Sequence, residues 1–196
     1  MKKILFLHGF FASGNCDLAS TLRHELCDVA TLLSPDLPLT PHDALEKIYR
    51  LCQTEKPDLL VGNSCGAFYA QIVSQRTLLP ALLGNPHFEM TNFLRQRLGE
   101  HKYKSPRANA QQNFTITPAL VNAFSKLESE QFVSIPQSQG ERVWGLFGEK
   151  DTLAHYEPLF LQHYTHSFHF PGNHTPTAEE VVKWYVPLIR KLLQTT

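Results

Sequence analysis

Apolar positions in this chain fall into short unbroken runs, separated by longer segments with helical spacing. Ile4-Leu5-Phe6-Leu7 is the first such run. A continuous apolar run of that length predicts a strand covered on both faces. Residues 29–33, 58–62, 79–83 and 143–147 read as further strands, and Ser167-Phe168-His169-Phe170 as a last one. Between the runs, Leu18, Leu22 and Leu26 fall at i, i+4 and i+8, which predicts a helix over 17–27. Thr40-Pro41 opens a second helix, with Ala44, Leu45, Ile48, Leu51 and Cys52 as its buried stripe. Further helices are predicted over 66–76, 155–162 and 176–193, the last kinked or interrupted at Pro187. Strand and helix alternate about six times, which predicts an α/β fold: a doubly wound, mainly parallel sheet of about six strands.

The rhythm changes after Pro86. From 87 to 140 no clean strand is predicted, only two helical pieces. Phe88, Phe93 and Leu94 form the apolar face of one, and Ala119, Leu120, Ala123, Phe124 and Leu127 that of the other. The polar stretch 99–107 between them reads as a loop. This predicts one domain over 1–196, with 87–140 inserted between two strands as a small helical cap.

Composition narrows the class. The chain has 196 residues, 42% hydrophobic and 18% charged, enough for one domain with a real core. Lys+Arg and Asp+Glu both number 18, so there is no basic excess for a nucleic-acid surface. Cysteines stand at 16, 27, 52 and 65 with no C-x-x-C pair, the pattern of a reducing compartment. The apolar run after Met1-Lys2-Lys3 breaks at His8-Gly9, too short for a signal peptide. No stretch reaches the ~18 apolar residues of a membrane span. The expectation is a cytoplasmic protein with no membrane partner.

In sheets of this kind chemistry gathers at the carboxyl ends of the strands. The first strand ends in His8-Gly9-Phe10, the third in Gly62-Asn63-Ser64-Cys65-Gly66. The run at 143–147 leads to Asp151, and that at 167–170 to His174. Gly-x-Ser-x-Gly between a strand and a helix is the pattern of a nucleophile elbow. Ser64 is then the nucleophile, His174 its base and Asp151 the acid that orients the base. The backbone N–H groups of Phe10 and Cys65 are the candidate oxyanion donors, Cys65 sitting at a helix N-terminus.

Other groups are weighed against these. His8 is read as packing beneath the oxyanion loop. Asp36 is a second acid at a strand end, but Asp151 precedes His174 by one helix and one strand. Cys65 is a poorer nucleophile than the serine at the tip of the turn. His163, His166 and His169 straddle a helix end and a strand, so they read as solvated or packed rather than as metal ligands. Arg95, Arg97, Lys102, Lys104 and Arg107 could attract a phosphate-bearing acyl donor, though a solvated loop is favoured.

His8-Gly9-Phe10, Gly62 to Gly66, Gly148-Glu149-Lys150-Asp151 and Gly172-Asn173-His174 together resemble the α/β-hydrolase superfamily. Ser34-Pro35-Asp36-Leu37-Pro38 and Gly84-Asn85-Pro86 extend the likeness to the small bacterial YqiA-like esterases. The resemblance covers nearly the whole chain and is weakest over 87–140. It implies a cofactor-free esterase or thioesterase with Ser64, Asp151 and His174 as triad. Its substrate is then a small-molecule acyl ester or thioester. Apart from the resemblance, a cap formed by 87–140 over Ser64 makes Phe88, Phe93, Phe114 and Phe124, with Phe11, the candidate lining of an acyl pocket, although most of the cap's aromatics must anchor it to the sheet. An acyltransferase, a C–C bond hydrolase or a non-catalytic binding module on the same fold are the alternatives.

Overall fold

Both faces of the predicted sheet are covered, and this is what the uninterrupted apolar runs encode. In the computed structural model, which describes residues 1–195, the chain runs β1 (Lys2–Leu7), α1 (Asp17–Glu25), β2 (Ala30–Leu33), α2 (Pro41–Glu55), β3 (Leu59–Asn63), α3 (Cys65–Thr77) and β4 (Ala81–Gly84). It continues with α4 (Met90–Arg95), β5 (Gly99–Lys102), β6 (Asn113–Ile116), α5 (Pro118–Glu128), α6 (Gln137–Gly140) and β7 (Val143–Gly148). The last elements are α7 (Glu157–Phe160), β8 (His166–Phe170), α8 (Ala178–Glu180), a π-helical turn (Val181–Tyr185) and α9 (Val186–Gln194). Six strands form one parallel sheet in the order β2-β1-β3-β4-β7-β8. The order reverses direction at β1, the arrangement of a doubly wound sheet.

The two-residue period of a strand sorts the core into two layers. Leu5, Leu7, Leu60, Leu83 and Val143 face one side, under α2, α3, α5 and α7. Ile4, Phe6, Leu59, Val61, Leu82 and Leu146 face the other, against α1 and α9. Every residue of α3 from Cys65 to Gln75 is buried, so this helix lies between the sheet and the 87–140 segment. No helix among the described residues is long and apolar enough to cross a membrane.

One feature departs from the sequence pattern. Residues 99–102 and 113–116 are not loop but an antiparallel hairpin, pairing Gly99 with Ile116 and Lys102 with Asn113. Asn113-Phe114-Thr115-Ile116 carries the period-2 signal, since Phe114 and Ile116 are buried and Asn113 and Thr115 exposed. Four residues among polar neighbours are too few for that signal to stand out.

Pro187 interrupts the closing helix as expected. It brings no N–H to the helical ladder, and the widened π turn immediately precedes it, with Pro187 in the first turn of α9. The helix begins in a capping box, where Thr177 accepts from the Glu180 N–H and Glu180 reaches back to the Thr177 N–H.

Candidate active site

The turn from β3 into α3 is sterically determined. Ser64 sits at φ 56°, ψ −120°, a conformation that a serine adopts only under constraint. The constraint is close packing on both sides. A Cβ on Gly66 would lie 1.8 Å from the carbonyl oxygen of Leu7, and one on Gly62 would lie 2.4 Å from that of Gly66. Only glycine fits at either place, so the serine at the tip is held off the end of the sheet. Its backbone N–H donates to the Gly84 carbonyl at 3.0 Å, and its carbonyl accepts from the N–H groups of Ala67 and Phe68.

Three predicted residues from three strand ends meet there. The Ser64 Oγ lies 2.8 Å from His174 Nε2, and His174 Nδ1 lies 2.7 Å from Asp151 Oδ2. Asp151 is buried, and its other oxygen, Oδ1, accepts the N–H groups of Leu153 and Ala154. Burial alone pushes a carboxyl upward. Here the hydrogen bond and charge of His174, with the two amides, outweigh it and hold Asp151 below the usual carboxylate range. An ionised Asp151 draws the His174 proton to Nδ1, which leaves Nε2 free to accept from the Ser64 hydroxyl.

The loop that carries one candidate oxyanion donor, Phe10, runs close to the same hydroxyl. A Cβ built on Gly9 would lie 3.9 Å from Ser64 Oγ, so the loop after β1 runs beside the nucleophile position. Among the described residues no protein acceptor takes the N–H of Phe10 or Cys65. Gly9, Phe10 and Cys65 also line a cavity of about 10 Å³ with His8, Leu37 and Tyr103, room for one water.

His8 supports this loop. Its Nε2 accepts the Leu37 N–H at 2.9 Å, which fixes the proton on Nδ1, and Nδ1 donates to the Gly9 carbonyl at 2.8 Å. Burial lowers its pKa to about 4, so the ring is a neutral clamp on the Gly9–Phe10 segment. Cys65 is fully buried and its thiol is pushed far above the ordinary value by burial, against a weaker lowering contact from Tyr69. It contributes no thiolate.

The structure separates the remaining candidates. Asp36 spends its carboxylate on the N–H groups of Gly14 and Ala108, and among the described residues no histidine hydrogen-bonds to it. His163 stacks on Phe132, His166 pairs with Glu141 and His169 with Glu157, so the three share no site. Of the basic residues, Arg97 lies over the Phe93 ring and Arg107 over Tyr103, while Arg95, Lys102 and Lys104 are exposed. None of the five phenylalanines lines the cavity beside Ser64. Phe88 packs on Phe132 and Tyr156, Phe114 on Phe10 and Tyr103, and Phe124 on Phe10, Phe68 and Tyr69. Burying a large ring between segment and sheet is favourable wherever it occurs, which is why these three rings are spent on anchoring. Phe11 and Phe93 keep partial exposure, with ring centroids 6.2 Å apart.

One neighbour of the site was not singled out by the sequence reading. His87, 3% exposed, packs its ring edge-to-face on His174 with centroids 6.4 Å apart, and its N–H donates to the Ser64 carbonyl. Burial lowers its pKa to about 4. It stands just past the end of β4, so the rule that pointed to the other strand ends pointed here too.

Solved structures of the same architecture span nearly the whole chain. A monoacylglycerol lipase from Paleococcus ferrophilus superposes with a TM-score of 0.70 at 12% identity, over 99% of this chain and 95% of its own. Est1E from Butyrivibrio proteoclasticus, solved with ferulic acid, gives 0.69 at 13%, over 99% and 90%. The esterase domain of a Rhodothermus marinus protein gives 0.69 at 16%, over 98% and 87%. At these identities the likeness establishes the α/β-hydrolase fold. The family model described as "Uncharacterised protein family (UPF0227)" matches residues 3–178, and the chain belongs to that family.

Proposed function

We propose that this protein is a serine hydrolase that cleaves carboxylic esters or thioesters through an acyl-enzyme. The observation that carries the reading is the unbroken chain of contacts Ser64 Oγ–His174 Nε2 and His174 Nδ1–Asp151 Oδ2 at 2.8 and 2.7 Å. That two of the structural neighbours are named as a lipase and as an esterase domain agrees with it.

In this reaction the Ser64 oxygen attacks the acyl carbon while its proton passes to His174 Nε2. The negative charge that develops on the carbonyl oxygen is met by the N–H groups of Phe10 and Cys65, each worth about 3 kcal/mol in the transition state. The bond to the leaving oxygen or sulfur then breaks, and His174 returns its proton to the leaving group. Water enters, gives its proton to His174 and attacks the acyl-serine; the bond to the Ser64 oxygen then breaks as His174 returns that proton to it, which restores Ser64 and releases the acid. Asp151 stays ionised throughout and stabilises the imidazolium. Every group comes from the chain, and no cofactor takes part. In this reading residues 87–140 form a cap, and Phe11 and Phe93 are the aromatics left for the acyl group to touch. The four free cysteines accord with a cytoplasmic enzyme.

The test is hydrolysis of p-nitrophenyl esters and acyl thioesters by wild type and Ser64→Ala, with fluorophosphonate labelling in parallel. Activity and adduct in the wild type, both abolished in a folded Ser64→Ala, are expected. Unchanged activity in that variant, or a wild type with neither activity nor adduct, sinks the proposal. Product analysis with added alcohol or thiol acceptors separates hydrolysis from acyl transfer.

A further inference from the structure

We infer that Asn85 is the positioning residue of the Ser64–His174 pair: its carboxamide fixes the backbone that carries the His174 imidazole. The inference rests on the hydrolase reading above. Asn85 follows the last residue of β4, is 1% exposed and sits at φ 40°. Asparagine tolerates that left-handed backbone better than other residues with a side chain.

From there one side chain ties three segments. Both Nδ2 protons are used, one on the Asn173 carbonyl at 3.0 Å and one on the His174 carbonyl at 2.9 Å. Oδ1 accepts the Gly148 N–H at 2.7 Å, three residues before Asp151. The Asn85 backbone N–H adds a bond to the Leu146 carbonyl at 2.8 Å. Among the described residues no other group donates to the Asn173 or His174 carbonyls. The loop is otherwise fastened further back, where Gly172 accepts from the Lys150 N–H and Phe170 from the Glu149 N–H. Asn85 therefore holds the base-bearing loop at the histidine itself, and the same carboxamide holds the start of the Asp151 loop through its oxygen. A loss of this tether lets the imidazole drift from a 2.8 Å contact that proton transfer requires.

Two variants isolate the effect. Asn85→Asp keeps the shape and the acceptor for Gly148, but turns an oxygen toward two carbonyls that need a donor. Asn85→Gly keeps the positive φ and removes the whole side chain. For each, kcat and KM are measured on a p-nitrophenyl ester, alongside the downfield proton NMR signal of the His174 Nδ1–H bonded to Asp151. In both variants kcat should fall about 100-fold with KM held within about twofold, the signature of a misplaced catalytic group. The downfield signal should broaden or vanish in both.

A folded variant with wild-type kcat and an unchanged signal overturns the inference. So does a loss confined to Asn85→Asp, which traces to the added charge. If neither variant folds, through-hydrogen-bond couplings in the wild type decide it. Couplings from Asn85 Nδ2 to the carbonyl carbons of Asn173 and His174 support the tether, and their absence overturns it. A wild type without esterase activity or fluorophosphonate adduct counts against the hydrolase reading alone, because the NMR signal still reports whether Asn85 holds His174.

Discussion

The Tyr185 hydroxyl donates to Asn63 Oδ1 at 2.8 Å, joining the π turn of the closing helix to the residue just before Ser64. Tyr185 is fully buried, and Gly84 makes room for it, since a Cβ there would lie 2.3 Å from the hydroxyl oxygen. Tyr185→Phe leaves the buried Asn63 oxygen without this donor at a cost of about 1–3 kcal/mol. For a chain of this size that lowers Tm by roughly 2–12 °C. Calorimetry on the variant checks the prediction, and an unchanged Tm would show that the bond contributes nothing net.

Two glycines beside the same serine should behave oppositely. Gly66→Ala forces a methyl to within 1.8 Å of the Leu7 carbonyl, backbone against backbone at the middle of the sheet. Neither β1 nor α3 can retreat without opening a close-packed core, so loss of about 4 kcal/mol or more is expected. The variant should be insoluble or unfolded. Gly9→Ala meets nothing nearer than Ser64 Cβ at 3.5 Å, an ordinary contact. Its Tm should stay within a few degrees of wild type. Equal stability of the two variants would contradict the geometry of the turn.

The same contrast explains what was legible in the sequence. Strands β1, β3, β4 and β7 are buried on both faces, so they appear as apolar runs that need no context. The Ser64 turn is legible because its crowding admits only glycine at 62 and 66. Asp151 and His174 are legible because the fold rule directs attention to strand ends. The hairpin of β5 and β6 was missed because four residues of alternation are too short a signal. The roles of Asn85 and Tyr185 were hidden for another reason. Their partners lie 89 and 122 residues away, and no local pattern marks such a pairing. The aromatics of 87–140 were visible as apolar, but lining a pocket and anchoring a segment draw on the same residues.

Asp151→Asn tests the orientation of the base. The amide keeps the volume and an oxygen for the Leu153 and Ala154 N–H groups, but presents an NH₂ to His174 Nδ1. The imidazole must then carry its proton on Nε2, where it can no longer accept from Ser64. A fall in kcat of roughly 10⁴-fold is the expected scale for this change of tautomer. KM and Tm should move little by comparison. A steady-state assay in which Asp151→Asn retains more than a tenth of wild-type kcat would remove Asp151 from the proposed mechanism.

Acid should destabilise this protein well before its carboxylates are neutralised. His8 and His87 are both buried with pKa values lowered from 6.5 to about 4, in each case chiefly by burial. Between those limits the unfolded chain binds a proton at each ring and the folded chain does not. The sign follows directly: unfolding takes up protons, so stability rises with pH across this window and is lost as pH falls through it. With both rings contributing, the uptake approaches two protons, a slope of about 2.7 kcal/mol per pH unit near the middle of the range. Above about pH 7 both rings are neutral in either state and their contribution is flat. Below about pH 4 the lowered carboxyl of Asp151 adds a second loss, since its stabilising contacts require the ionised form. Urea titrations at a series of pH values measure the slope. His87→Phe keeps an aromatic ring against Phe93 and Tyr156 and removes one titrating group. Its slope in the same window should be about half that of wild type. A wild-type stability that is level from neutrality down to about pH 5 would mean that the two rings are not held neutral, and the clamp assigned to His8 would fall with it.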